Sequence, residues 1–311
     1  MISGSVSGED LGRTELAQIG RYTASPSPVT TPQVFTLTLL AMIAFASNSL
    51  LCRAALKETS IDAASFTFVR IFSGAAALWL ILTTRRTTSQ SSGNWISALA
   101  LFAYAAAFSF AYNTLSAGTG ALLLFGAVQA TMILWGFGKG ERLDPIQIAG
   151  LVVAVAGLVL LVLPGLSAPP LIGSILMLSA GVAWGVYSLR GKTAGDPIAA
   201  TSGNFLRAVP FAALVSIVMI RQARLDSLGV VYAFISGAIT SGLGYVIWYA
   251  ALGGLKAASA ATVQLSVPVL AATGGILLLG EPITLRYVIA TVAVIGGIFL
   301  VVTEKRPASS V

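Results

Sequence analysis

The sequence predicts an all-α integral membrane protein of ten transmembrane helices, arranged as two inverted five-helix repeats. Three observations carry this prediction. First, 56% of the 311 residues are apolar and 9% are charged, where a soluble domain carries about 25% charged residues. Mean hydropathy is +0.90, so lipid must solvate much of the surface. Second, the apolar residues fall into ten segments of roughly membrane-crossing length. Third, rare polar residues recur at a fixed offset. Gly140-Glu141 returns as Gly280-Glu281, 140 residues later. Arg53, Arg70 and Tyr112 return as Arg190, Arg207 and Tyr249, each 137 residues later.

The ten segments are 34–56, 64–83, 94–112, 117–137, 146–163, 171–189, 198–220, 229–251, 255–279 and 284–302. Most approach the ~20 residues that cross a ~30 Å hydrocarbon core. In lipid each backbone N–H and C=O needs an internal partner, which makes these segments helices. Breakers separate them: Thr-Ser-Gln-Ser-Ser-Gly at 88–93, Leu-Pro-Gly at 163–165, Ala-Pro-Pro at 168–170, Gly-Asp-Pro at 195–197 and Gly-Gly at 253–254. Such short loops make neighbouring helices antiparallel. Residues 1–33, rich in Ser, Thr and Pro, are expected to be a disordered cytoplasmic tail. Ala44-Phe45-Ala46 imitates a signal cleavage site but lies inside a long span followed by more spans. Residues 34–163 form the first repeat, 171–303 the second, and 304–311 a second cytoplasmic tail.

An odd number of spans per copy inserts the second copy upside down, a hallmark of secondary transporters with a midplane substrate site. Orientation follows from the basic residues. With the N-terminus in the cytoplasm, 11 of the 18 Lys and Arg face the cytoplasm, 5 face the other side, and Arg70 and Arg207 lie within spans. Both termini are therefore expected inside.

Several function classes are disfavoured. The net charge of +7 is spread thinly between apolar runs, with no cationic face for nucleic acid. Cys52 is the single cysteine and there is no histidine, so no disulfide, cysteine metal cluster or imidazole base is expected. Gly185 to Gly191-Lys192-Thr193 resembles a phosphate loop but has five residues between the glycines where four are required. No cofactor or metal is expected. A membrane enzyme would need clustered Asp, Glu, His or Cys at the interface, which the sequence lacks. A structural or partner-binding membrane protein would need an extended extramembrane surface, yet no loop is long.

Buried polar groups in lipid need partners, which makes Asn48, Gln129, Asn204 and Gln264 candidates for a substrate cavity. Tyr104, Trp184, Tyr187, Tyr245 and Trp248 add rings with a polar handle. Tyr245, Trp248 and Tyr249 share one helix face; a belt at the membrane interface is the rival role. Arg70 and Arg207 lie roughly 9 Å and 14 Å into their spans at ~1.5 Å per residue. A charge there costs at least ~2.5–3.5 kcal/mol and normally faces the bundle interior. Either attracts a substrate carboxylate, or each snorkels or bonds carbonyls of a neighbouring helix. Glu141 and Glu281 follow spans 4 and 9, where they pair with loop arginines to gate the cavity or sit at a helix N-terminus. Pro268 either kinks span 9 for gating or is a tolerated kink.

Pro268, the run Leu279-Gly280-Glu281-Pro282, the following helix with Gly296-Gly297, the first-copy Gly140-Glu141 with Gly157, the second-helix arginines Arg70 and Arg207, and Ala183-Trp184-Gly185 together resemble the drug/metabolite transporter superfamily, in particular its EamA-like ten-helix exporters. The resemblance covers about residues 34–303. It implies a basket-shaped bundle with spans 1–4 and 6–9 around a central cavity and spans 5 and 10 outside. It also implies export of amino acids or other small metabolites across the bacterial inner membrane, and one branch of the family exports aromatic amino acids. The expected partners are a small-molecule substrate and the lipid bilayer, with a homodimer through the outer helices left open. None of the 11 acidic residues falls mid-span, which favours facilitated diffusion or exchange over a carboxylate proton relay. Whatever repeats between the copies suits scaffold or gate. Substrate choice is expected where they differ, at Asn48 opposite Gly185 and Trp184 opposite Ser47.

Overall fold

The computed structural model describes residues 31–84, 93–138, 140, 144–165, 168–191, 196–252, 254–255 and 263–302. Among them, eight helices are long and apolar enough to cross a membrane. These are α1 (Thr31–Glu58), α2 (Ala63–Thr84), α3 (Trp95–Tyr112), α4 (Ala117–Gly138), α5 (Pro145–Val162), α6 (Leu171–Gly191), α7 (Pro197–Val218) and α8 (Ser227–Leu252). Two shorter apolar helices follow, α9 (Ser266–Leu279) and α10 (Leu285–Val302). No strand occurs among the described residues.

The ninth segment departs from expectation. A turn at Leu265 precedes α9, which has 14 residues, about 21 Å at ~1.5 Å per residue. Residues 256–262 of the expected span lie outside the described residues. Pro268 therefore sits in the first turn of α9, where a missing N–H breaks no internal hydrogen bond.

The scarce acidic residues hold helix ends. Asp144 and Gln147 form a reciprocal capping box ahead of Pro145. Asp196 accepts from the N–H groups of Ile198 and Ala199, and Asp226 from that of Gly229. Asp62 accepts from those of Ala64 and Ser65 at 3.0 Å each. Each satisfies backbone donors that a helix start leaves open and places negative charge at the positive end of the dipole.

Helix packing follows a regular pattern. α3 packs on α6 as α8 packs on α1, α4 on α6 as α9 on α1, and α2 on α8 as α7 on α3. The pairs α2–α7, α4–α9 and α5–α10 map onto themselves under the same five-helix exchange. α5 and α10 pack mainly on each other. A Cβ on Gly157 would stand 2.8 Å from the Ala293 Cβ, so this contact depends on small residues that bring two backbones together. The outward faces of the pair, Ile148, Val152 and Val159 on α5 and Val288 and Val292 on α10, are exposed apolar surface suited to lipid.

α8 is not uniformly α-helical. Its centre, Ser236–Leu243, is a π-helix. A Cβ on Gly237 would collide with the Arg70 carbonyl oxygen of α2. The missing side chain lets the two backbones touch where α8 widens.

Candidate functional site at the centre of the bundle

Arg70, in the first half of α2, is 2% exposed. Its Nη2 donates to the Tyr104 hydroxyl at 2.9 Å and to Ser241 Oγ at 3.4 Å, and Nε donates to Ser241 Oγ at 3.4 Å. The guanidinium carbon lies 4.8 Å from the Phe108 ring centroid and 5.2 Å from that of Tyr104, cation–π contacts that partly replace hydration. Its Nη1 is buried with no hydrogen-bond partner. Among the described residues the one ion pair is Arg53–Glu281, so no carboxylate neutralises Arg70. A buried charge without a counter-ion is costly, which makes Arg70 a candidate functional residue.

Asn48 of α1 organises the other side. Its amide nitrogen donates to the Tyr104 hydroxyl at 3.3 Å, and its amide oxygen accepts from Ser236 at 2.7 Å, with the Thr240 hydroxyl 3.4 Å away. The π-helix aligns these partners. Its i→i+5 periodicity sets Ser236 and Ser241 one turn apart on the same face, one bonded to Asn48 and the other to Arg70. Tyr104 and Ser241 themselves stand 137 residues apart, the offset that separates Arg70 from Arg207.

Beside this network is a small cavity of about 20 Å³, room for about one water molecule and well below the ~300–1,000 Å³ of small-molecule sites. Asn48, Tyr104, Phe108, Phe125, Trp184, Thr240, Ser241 and Tyr245 line it, with Phe45. The Trp184 ring is 4.8 Å from Tyr104 and 5.2 Å from Tyr245, and Phe45 meets Tyr245 edge-on at 6.0 Å. The lining comes from α1, α3, α4, α6 and α8. Arg70 lies behind the wall and reaches the cavity through the hydroxyls of Tyr104 and Ser241.

At one end of the bundle an ion pair links the helix ends. Arg53 Nε donates to Glu281 Oε1 at 2.9 Å, and its Nη1 donates to the carbonyls of Tyr112 at 2.9 Å and Asn113 at 3.3 Å. Glu281 Oε2 accepts from the Ala117 N–H at 2.7 Å, at the start of α4. Lys57 Nζ donates to the Leu279 carbonyl at 2.6 Å. Gly280 makes this possible. With φ +60 it ends α9 in the left-handed conformation, and the Glu281 N–H turns back to the Gly275 carbonyl at 3.0 Å. Gly140 shares the positive φ, at +92. Glu281 pairs with an arginine of α1 rather than of a loop, and it caps the start of α4 rather than the helix that follows it. Three of the recurring residues, Arg53, Tyr112 and Glu281, meet here. A recess of about 200 Å³, lined by Ser116, Pro170, Glu281 and Tyr287 among others, opens at the same end.

The remaining candidates scatter. Tyr187 is buried with its ring 5.4 Å from Trp184, outside the cavity lining. Trp248 is buried against Phe45, ring centroids 5.9 Å apart. Gln129 is buried one turn beyond Phe125. Asn204 is a structural cap: its Oδ1 accepts from the Asn94 N–H at 2.9 Å. Arg207 is half-buried and donates to Gly203 O of its own helix at 2.9 Å. Gln264 is helical, just ahead of the turn at Leu265, and is not part of the cavity lining. Glu141 lies outside the described residues. The cavity hydroxyls of Thr240 and Ser241 were not among the sequence candidates, and Glu281 was named without its partner Arg53, which was marked by its recurrence alone.

The EamA-like transporter family matches residues 34–163 and again 171–303. The chain belongs to this family. It is a multi-pass membrane transporter of the EamA type, within the drug/metabolite transporter superfamily. An uncharacterized protein of Pseudomonas aeruginosa is 58% identical over 270 residues, 86% of this chain and 94% of that protein. An uncharacterized transporter of Archaeoglobus fulgidus is 26% identical over 288 residues, 87% of this chain and 97% of its own. The uncharacterized transporter YoaV of Bacillus subtilis is 21% identical over 249 residues, 76% of this chain and 85% of its own. One solved crystal structure superposes with a TM-score of 0.63 over 88% of this chain and 98% of that chain, at 17% identity. That likeness is of fold.

Proposed function

We propose that this EamA-type protein is a secondary transporter that exports small amphipathic metabolites bearing a carboxylate, through the central cavity, by alternating access. Ten helices would cross the bacterial inner membrane as two inverted halves with both termini in the cytoplasm. The five-helix exchange in the packing supports two equivalent halves. The Arg53–Glu281 closure then faces away from the cytoplasm. Amino acids with hydrophobic or aromatic side chains, the class that one family branch exports, are the substrates the resemblance implies.

One observation carries the reading. Arg70 keeps an unpaired N–H behind a wall of rings at the centre of the bundle, which suits a carboxylate on an apolar body. Proteoliposomes loaded with a panel of labelled amino acids and related carboxylates provide the test. Efflux down a gradient without an imposed pH difference is expected. Absence of efflux for the whole panel refutes the reading, and strict dependence on a pH gradient refutes its facilitated mode.

A further inference from the structure

We infer that the cavity selects monoanions over zwitterions, so that the preferred substrate carries an aromatic or comparably apolar body and one carboxylate without an ammonium. This rests on the transporter reading above and departs from it on one point, since the amino acids that the resemblance implies are zwitterions at neutral pH.

The argument is a count of donors and acceptors. A hydroxyl has one proton and two lone pairs. The Tyr104 oxygen accepts from Arg70 and from Asn48, so its lone pairs are taken. Ser241 Oγ accepts two N–H groups from Arg70. Both residues line the cavity, and with their oxygens turned to the guanidinium their protons are left to donate. The wall therefore offers two hydroxyl donors polarised by a cation.

An ammonium would find less. The Asn48 amide oxygen already accepts from Ser236, and the single Thr240 proton goes to the Ser236 carbonyl at 2.8 Å, so the amide offers one remaining lone pair. No residue lining the cavity is acidic, and among the described residues Arg70 has no carboxylate partner. Trp184 and Tyr245 offer ring faces, but the fixed cation beside them opposes a second one. A zwitterion would gain at its carboxylate and lose at its ammonium. A monoanion gains only.

Energy coupling follows. A carrier that moves one negative charge is driven outward by an interior-negative potential, by about 2.3 kcal/mol per 100 mV, or about fifty-fold in the equilibrium ratio.

Three probes with one ring separate the charges: phenylpyruvate, phenylalanine and phenethylamine. Binding to the purified full chain at pH 7 is read by thermal shift, and efflux from proteoliposomes is followed with and without a potassium diffusion potential. Phenylpyruvate is expected to bind at least about tenfold more tightly than phenylalanine, with phenethylamine weakest, and its efflux to rise when the interior is negative. Ser241→Ala, which keeps Arg70 bonded to Tyr104, should weaken phenylpyruvate about tenfold while the unliganded protein still melts cooperatively. Phenylalanine binding as tight as phenylpyruvate, no binding by any probe, or efflux indifferent to potential overturns the inference. Phenylalanine efflux alone would do so while leaving the transporter reading standing.

Discussion

Arg53 and Glu281, 228 residues apart in the chain, form an ion pair with side chains 15% and 7% exposed. It ties the end of α1 to the turn after α9, and each partner also bonds backbone at the ends of α3 and α4. Removing one side of such a pair leaves the other buried and uncompensated. Glu281→Gln should cost about 1–3 kcal/mol, allowing for partial exposure. The double variant Arg53→Gln/Glu281→Gln should cost less than the sum of the single changes. A thermal-denaturation double-mutant cycle in detergent measures this, and additive losses would show that the pair contributes nothing.

Gly275 admits the same carboxylate. A Cβ there would lie 2.6 Å from Glu281 Oε2, so Gly275→Ala must displace it. Gly280 has φ +60, a conformation that costs a side-chain-bearing residue roughly 1–2 kcal/mol. Gly275→Ala and Gly280→Val should each lower the melting temperature, and Gly280→Asn should be milder than Gly280→Val, since Asn tolerates this region. Equal melting of Gly280→Asn and Gly280→Val would contradict the conformational argument.

Arg70 and Arg207 occupy equivalent places in the two copies, yet their environments differ. Arg70 holds both Tyr104 and Ser241, while Arg207 bonds its own helix. Under the proposed two-fold exchange, Tyr104 and Ser241 swap places, and the opposite-facing state would hand that pair to Arg207. Arg207→Gln should therefore leave stability within about 0.5 kcal/mol but slow turnover about tenfold, with binding unchanged. Turnover equal to wild type in proteoliposomes would end this idea.

These contrasts explain what the sequence could convey. Apolar runs and their breakers locate the helices because lipid demands them. Glu281 stands out because acidic residues are scarce. Arg70 and Arg207 look alike because what separates them is a neighbour on another helix. Ser241 and Thr240 are invisible in sequence, since hydroxyls in these helices often bond their own backbone, as Thr67 does to Ala63 and Ser109 to Ala105. Hydropathy also gives no sign of the π-helix in α8 or of the turn at Leu265 before α9, because neither changes how apolar the segment is.

Asp62, between α1 and α2, adds a pH dependence. Partial burial pushes its carboxyl up, but hydrogen bonds from Ser65, Ala64 and the Arg224 N–H outweigh it and hold the group below the usual carboxylate range. A depressed carboxyl stabilises the fold above its unfolded value of about 3.9, and this is lost as pH falls through the folded value. The melting temperature should drop below about pH 4, and Asp62→Asn should flatten that drop. An unchanged acid limb in the variant would assign the effect elsewhere.

The unneutralised guanidinium at mid-depth has a consequence beyond its ligand. A carrier that opens to each side in turn risks leaking hydronium and sodium with every cycle, which would discharge the membrane it sits in. Fixed positive charge in a narrow passage raises the barrier for small cations. On the proposed reading, the residue that draws an anion into the cavity would also keep the bilayer electrically tight while the passage is in use.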